Sequence, residues 1–361
     1  MPEPADSREQ RFLAELAEGW QPHVHVRGPV VVAVSGGGDS VALLRGLHHL
    51  LTKRVLPAAQ RLVVAHAKHD LREGEPGDPA AGDAAFVQQL ADTLALPSME
   101  RSLRVREAMV GGEGLEAAAR RLRYAFFQEV AEEWGARLVV TAHTADDQAE
   151  TVLHRLLRGT GLPGLAGIAP TRSLVEGIVV ARPLLAVLAA TARGYLTEIG
   201  QAWREDATNR DTRYARNLLR HDILPRLTSS IYPAAREGLV RLADHAQRSQ
   251  QTSQAASDAL LEAYAQHDRQ GHVLLRVEPL CAWPNALLTE VLASLWRQQA
   301  WPQRDMTSRH YAAVAAMFSG DGPSAARLDL PGGIRAEVIE SGHVRIGPTG
   351  LRPRLGLPPR R

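Results

Sequence analysis

Ser35-Gly36-Gly37-Gly38-Asp39-Ser40 is the segment in which residue type and spacing point most directly to chemistry. Consecutive glycines let a backbone turn tightly and aim several N–H groups at one point, and a helix starting there adds the positive end of its dipole. The result is a cradle for an anion. Ser35 and Ser40 can donate hydroxyl hydrogen bonds to phosphate oxygens, whereas Asp39 cannot bind a phosphate directly and is suited to hold magnesium. The loop lacks the Gly-x-x-x-x-Gly-Lys-Ser/Thr pattern and its lysine, so it is not built for γ-phosphoryl transfer. A plain glycine turn capped by serine is the alternative reading of the hexapeptide.

A second cluster lies about a hundred residues on. His143, Asp146, Asp147 and Glu150 fall at the end of an apolar run and the start of a helical pattern. Glu150 is three and four residues from Asp147 and Asp146, so all three carboxylates share one helix face. Such groups, with Asp39, can hold magnesium or pair with an ammonium group; Asp146 and Asp147 can equally be first-turn charges favoured by the helix dipole. Arg120 and Arg123, three apart on another helical stretch, share a face from which they can reach phosphates, as surface arginines also would.

Elements that must position these groups are legible around them. Val30–Val34 is a continuous β-branched strand ending at the loop, and Val41–Leu51 is helical. A strand at Leu62–His66, a loop at 70–82, a helix at 83–94 and a strand near Met99–Leu103 follow. The apolar residues of 115–134 fall near one helical face, Arg137–Ala142 reads as a strand, and Asp146–Leu157 as a helix. Strand and helix alternate, which predicts an α/β fold: an open parallel sheet, Rossmann-like, with helices on both faces. Strand ends next to helix starts are where such sheets bind ligands.

Past Tyr232 the pattern changes to a helical stretch at 234–267, a helix around Ala286–Gln299, and short strands at Arg327–Leu330, Ile334–Val338 and His343–Ile346. We therefore expect an extension at 1–28, a catalytic domain at 29–230, a smaller C-terminal α+β domain at 231–350 and a basic tail at 351–361. The 361 residues are 45% hydrophobic with a net charge of +2, and the basic residues are arginine except for Lys53 and Lys68. Clustered guanidinium groups suit phosphate recognition. A single cysteine, Cys281, excludes an internal disulfide and cysteine-built metal sites. The first residues carry acid and proline where a secretory signal would be basic and then apolar, and no stretch suits a bilayer span. A cytoplasmic protein with no membrane partner is expected.

The loop resembles the signature of the N-type ATP pyrophosphatases, or PP-loop superfamily, which cleave ATP between its α and β phosphates. Within that class, four further stretches resemble the tRNA(Ile)-lysidine synthetase family. His66-Ala67-Lys68-His69-Asp70-Leu71-Arg72 follows the second strand, with Asp70 where the family has glycine. Glu116-Ala117-Ala118-Ala119-Arg120-Arg121-Leu122-Arg123-Tyr124 matches an arginine-rich helix. Asp146-Asp147-Gln148-Ala149-Glu150-Thr151, continued by Arg158-Gly159-Thr160-Gly161 and Arg182-Pro183-Leu184-Leu185, matches the acidic element, with Thr144 where many members carry histidine. Glu205-Asp206-Ala207-Thr208-Asn209 and Arg216-Asn217-Leu218-Leu219-Arg220 match the closing pair. The resemblance covers about residues 28–228.

It implies ATP and Mg2+ as co-substrate and cofactor, with Asp39 and Asp147 holding the metal. It implies the catalytic set Asp39, His143, Asp146, Asp147, Glu150 and Arg120, and ATP contacts from Ser35, Gly36, Gly37, Gly38, Asp39 and Ser40. Substrate contacts fall to His69, Arg72, Glu116, Arg123, Tyr124, Arg158, Asn209, Arg216, Asn217 and Arg220. The implied reaction joins free L-lysine to carbon 2 of the wobble cytidine of tRNA(Ile) with a CAU anticodon, through an adenylated cytidine. Adenylation suits this chemistry, since an amine displaces a carbonyl oxygen only after that oxygen becomes a leaving group. Another PP-loop tRNA-modifying enzyme and a non-catalytic nucleotide-binding or RNA-binding protein are the alternatives, and a homodimer is compatible with either.

Overall fold

The computed structural model describes residues 7–23, 25–55, 60–69, 79–205, 215–268, 270–318, 326–339 and 342–350. These fall into two compact units, 1–247 and 248–361. In the first, the β-branched run becomes strand β1 (Gly28–Ala33), preceded by helix α1 (Arg8–Trp20) and followed by α2 (Gly38–Thr52). Then come β2 (Gln60–His69), α3 (Pro79–Thr93), β3 (Ser98–Leu103), α4 (Leu115–Trp134), β4 (Leu138–Val140), α5 (Ala145–Leu157) and a short α6 (Leu162–Leu165). A hairpin of β5 (Thr171–Val175) and β6 (Ile178–Ala181) leads to α7 (Ala189–Glu198).

The six strands lie in the order β3-β2-β1-β4-β6-β5. All neighbours are parallel except β5, which runs antiparallel to β6. The expected open parallel sheet is present, with one edge strand, β5, reversed. The cause of the reversal is local: Glu176-Gly177 reverses the chain in two residues, with Gly177 at φ 81°, so no crossover helix intervenes.

Alternate residues of the central strands serve opposite cores. Val30, Val32, Leu62, Val64 and Val140 pack with α1, α2 and α7, whereas Val31, Val63, Val139 and Val180 pack with α4. Both sheet faces are therefore covered, which is why the strands read as continuous apolar runs. Residues 7–23, set apart in the sequence as an extension, are instead part of the first core: Phe12, Leu16 and Trp20 are fully buried. Gly46 of α2 permits this approach, since a Cβ there would meet Leu16 at 2.5 Å and Phe12 at 2.9 Å.

Beyond residue 214 the chain stays helical through α8 (Ala215–Leu218), a π segment (Leu219–Ile223), α9 (Leu224–Arg226) and a second π segment (Leu227–Ile231). Next is the long α10 (Ala235–Tyr264). The division between units falls inside α10, later than the change of pattern near 232. Its first turns belong to the first unit, where Leu239 and Val240 pack against Leu153 and Leu224, and Gln247 Nε2 donates to the Ala166 carbonyl at 2.7 Å.

The second unit holds an antiparallel sheet, β7 (Ala265–His267), β8 (Val273–Arg276), β11 (His343–Pro348), β10 (Ile334–Ile339) and β9 (Arg327–Leu330) in that spatial order. Helices α11 (Val277–Leu280), α12 (Asn285–Gln298) and α13 (Ser308–Ala315) accompany it. Buried Trp296 centres its core, edge-on to Trp301 and Tyr311. The expected helix and three strands are present, with β7, β8, α11 and α13 in addition. Among the described residues no helix is long and apolar enough to cross a membrane.

Candidate active site at the carboxyl edge of the sheet

The loop after β1 is shaped by its own serines. Ser40 Oγ donates to the Gly37 carbonyl at 2.9 Å and accepts from the Ser35 N–H at 3.2 Å, and Gly36 adopts φ 91°. Downstream chain closes it from one side: the Arg204 N–H donates to the Gly36 carbonyl at 2.9 Å, and Gly37 and Arg204 form a β-bridge. No side-chain hydrogen bond caps α2, which leaves its first-turn N–H groups available to an anion.

Asp39 stands in the first turn of α2. Its Oδ1 is buried without a hydrogen-bond partner, and Arg193 Nε lies 4.0 Å away. Burial pushes its carboxyl up to about 6, with Arg193 opposing and Asp147 reinforcing. A buried carboxylate oxygen with nothing donated to it is what a hard cation would satisfy, so Asp39 fits magnesium.

Asp147 is engaged differently. Its Oδ2 accepts from the Thr144 N–H at 2.9 Å and hydroxyl at 3.2 Å, a capping box that starts α5. Its Oδ1 accepts from Arg220 Nη2 at 2.8 Å, with Arg216 Nη2 at 3.5 Å. Glu150, a turn further on, meets Arg220 Nε at 2.5 Å and Arg216 Nε at 3.3 Å. Burial works to raise the Asp147 carboxyl, but Arg220, the Thr144 N–H, His143 and Arg216 together hold it below its usual range. For Glu150 burial prevails and raises it. Asp147 thus already has donors on both oxygens, unlike Asp39, and among the described residues no three acidic, histidine or cysteine side chains form a metal cluster.

His143 Nδ1 lies 3.0 Å from Thr141 Oγ1. Burial holds the imidazole down at about 4, against the opposing charge of Asp147, so it is neutral near pH 7. Asp146 has both oxygens in use: Oδ2 accepts from the Ala189 N–H at 2.8 Å, at the start of α7, and Oδ1 pairs with Arg236 at 3.1 Å. That is the geometry of an anchor between elements. Thr144, the departure from the family pattern, is the N-cap of α5.

The site brings together Ser35–Ser40, His143, Asp147, Glu150, Arg216 and Arg220, with Arg120 among the charges acting on His143. Arg123 and Tyr124 sit half-buried and buried on α4, with Glu116 exposed at its start. Arg158 is exposed at the far end of α5, about 16 Å along the axis from Asp147. Asn217 lies in α8 between the two arginines. Arg72 and Asn209 lie outside the described residues, and of His69 only the backbone, at the end of β2, is described. Sequence reasoning did not single out Thr141, Arg193 or Arg236, since no local pattern marks a partner supplied by a distant element.

Comparison with known proteins bears on this geometry. A family described as a PP-loop domain matches residues 6–227. The tRNA(Ile)-lysidine synthase of Rhodopirellula baltica is 36% identical over 346 residues, covering 86% of this chain and 84% of that protein. The chain belongs to the tRNA(Ile)-lysidine synthase family. The family member from Thermus thermophilus is 39% identical over 337 residues, 92% of this chain but 59% of its own. For the Deinococcus radiodurans member the figures are 36%, 91% and 50%. The chain thus spans most of one lysidine synthase and about half to three fifths of others. Among solved structures, a U34-tRNA thiolase from Methanococcus maripaludis shares the fold, with a TM-score of 0.53 and 12% identity over 66% of this chain and 79% of that one.

Proposed function

We propose that this chain adenylates the wobble cytidine of tRNA(Ile) with a CAU anticodon and replaces the adenylated oxygen with L-lysine, releasing pyrophosphate and then AMP. One observation carries the reading: a phosphate loop without a Walker lysine sits beside the buried, unpartnered Asp39 oxygen, on the sheet edge that also holds His143, Asp147 and Glu150. Loop N–H groups and the Ser35 hydroxyl would hold the triphosphate, with Ser40, whose hydroxyl is given to the Gly37 carbonyl, shaping the loop around it. Asp39 would bind Mg2+, which neutralises the charge developing on the phosphates.

Cytidine O2 then displaces pyrophosphate from the α-phosphorus, and the lysine amine attacks carbon 2 as AMP departs with that oxygen. Arg216 and Arg220 would stabilise the negative charge as it develops. Neutral His143 would take a proton from the lysine ammonium, freeing the amine that attacks. Asp147 and Glu150 supply negative charge for that ammonium once the arginines turn toward the nucleotide. Residues 248–361, which carry no catalytic motif, would supply further tRNA contacts. Cys281 is exposed and lies in the second unit, which lends no support to a cysteine-dependent thiolation.

The test is mass analysis of tRNA(Ile) bearing CAU after incubation with ATP, magnesium and lysine. A lysine-sized gain at the wobble cytidine with AMP as the nucleotide product is expected; ADP as the product would sink the reading.

A further inference from the structure

One group of cations near His143 has no partner in the chemistry above. Arg182 directly follows β6, and Arg172 lies in β5 with its register partner Val180 in β6, so both stand at the carboxyl edge of the sheet. Arg182 is 4% exposed; its Nη1 donates to the Ala169 carbonyl at 2.7 Å, but its Nε is buried with no hydrogen-bond partner. Arg172 Nε is orphaned in the same way, while other nitrogens of Arg172 and Arg182 hydrogen-bond the Tyr124 side chain.

Two guanidinium groups lie over the Tyr124 ring of α4, Arg172 4.1 Å and Arg120 5.0 Å from its centroid. Burial alone would raise the phenol, yet Arg120, Arg182 and Arg172 pull it below its usual value. Among the described residues no carboxylate pairs with Arg120, Arg172 or Arg182. Gathering three guanidinium groups, one of them buried, without a counter-charge is unfavourable on its own. Among the described residues no anion balances them, and a bound one would.

Position narrows its source. The phosphate loop follows β1, and the order β1-β4-β6-β5 puts Arg182 two strands away and Arg172 three. At about 4.8 Å per strand that is roughly 10 to 15 Å. His143 follows β4, between the loop and the arginines. A lysine carboxylate fits poorly, because its own ammonium group, two bonds away, would enter the same cationic field with no acid to receive it. A phosphodiester carries no such companion. Tyr124 offers little open face for a base either, since it is only 8% exposed.

We propose that Arg120, Arg172, Arg182 and Tyr124 form a phosphodiester pocket that grips the RNA backbone beside the nucleotide presented to His143 and Asp147. The pocket rests on the proposed RNA substrate and adds Arg172 and Arg182 as positioning groups for it.

The experiment uses the full chain and an anticodon stem-loop RNA of tRNA(Ile), with one linkage at a time around the wobble position replaced by an uncharged methylphosphonate. One replacement should weaken binding to the parent protein and have no effect on Arg172→Ala. Arg172→Ala itself should bind the unmodified RNA about 10-fold more weakly. The slope of log affinity against log salt should fall by about 0.7 to 0.9, with ATP affinity unchanged. Arg172→Lys should retain the salt slope. The melting temperature of Arg172→Ala should equal or exceed the parent's, since an uncompensated cation is removed. Unchanged RNA affinity and salt slope would overturn the proposal, and so would a raised lysine KM with RNA binding intact. Should the parent bind the RNA with this signature yet release no pyrophosphate, the catalytic reading falls while the pocket stands.

Discussion

Arg220 places its Nη2 2.8 Å from the Asp147 carboxylate, joining positions 73 residues apart in the chain. Through Nε it also holds Glu150, whose side chain is 2% exposed. A charge so deeply buried depends on its partner. Arg220→Ala should therefore cost roughly 3 kcal/mol of stability, while the double variant Arg220→Ala with Glu150→Gln should recover part of it. Denaturant midpoints of the three proteins test this, and an unshifted midpoint for Arg220→Ala would mean that Arg216 alone satisfies both acids.

Asp39 trades stability for cation affinity. Its folded value of about 6 lies above the ordinary 3.8, so its contribution favours folding below pH 4 and is lost as pH rises through 6. At pH 7 the ionised group costs roughly 1 to 3 kcal/mol, taking 1.36 kcal/mol per unit of displacement. Asp39→Asn should thus unfold later than the parent at pH 7 in the absence of magnesium, gain nothing at pH 4, and lose turnover by about 100-fold or more. A variant both less stable and less active would contradict this.

His143 acts in the opposite direction. Its folded value of about 4 lies below the ordinary 6.5, so its contribution is full above pH 6.5 and fades as pH falls toward 4. Between pH 4 and 6 the two titrations oppose each other. The parent should show a flat stability profile there from these groups, Asp39→Asn a profile rising with pH, and His143→Gln one falling with pH. Thermal unfolding across that window resolves the three curves.

A chain ending after Gln247 should fold and bind ATP, because the first turns of α10 belong to the first unit through Leu239, Val240 and Gln247. Ending at Pro233 should lower the melting temperature, as it also removes the Arg236 contact to Asp146. Both should lose tRNA affinity relative to the full chain, with a shallower salt dependence. Full tRNA affinity in either truncation would assign residues 248–361 a role other than RNA contact.

Much of the first unit was legible because its signals are local. A β-branched run followed by glycines gives β1 and its loop, and acids spaced by three and four give the charged face of α5. What escaped the sequence was set by distant contacts. The reversed β5 depends on a two-residue turn rather than on strand pattern, and α1 joined the core because Gly46 lets it approach. The pairing of Asp147 and Glu150 with Arg216 and Arg220 was hidden as well: each motif was visible, but the acids and the arginines could only be matched once the helices after residue 214 were placed.

The hydrogen bond from Arg204 to the Gly36 carbonyl also sets a timetable for biosynthesis. The glycine loop emerges from the ribosome early, yet the strand-like contact that braces it belongs to residues made after all six strands of the first sheet. A nascent chain halted before Arg204 carries the whole phosphate motif and lacks its brace. The braced form of the loop therefore exists only late in synthesis, once the chain has reached Arg204.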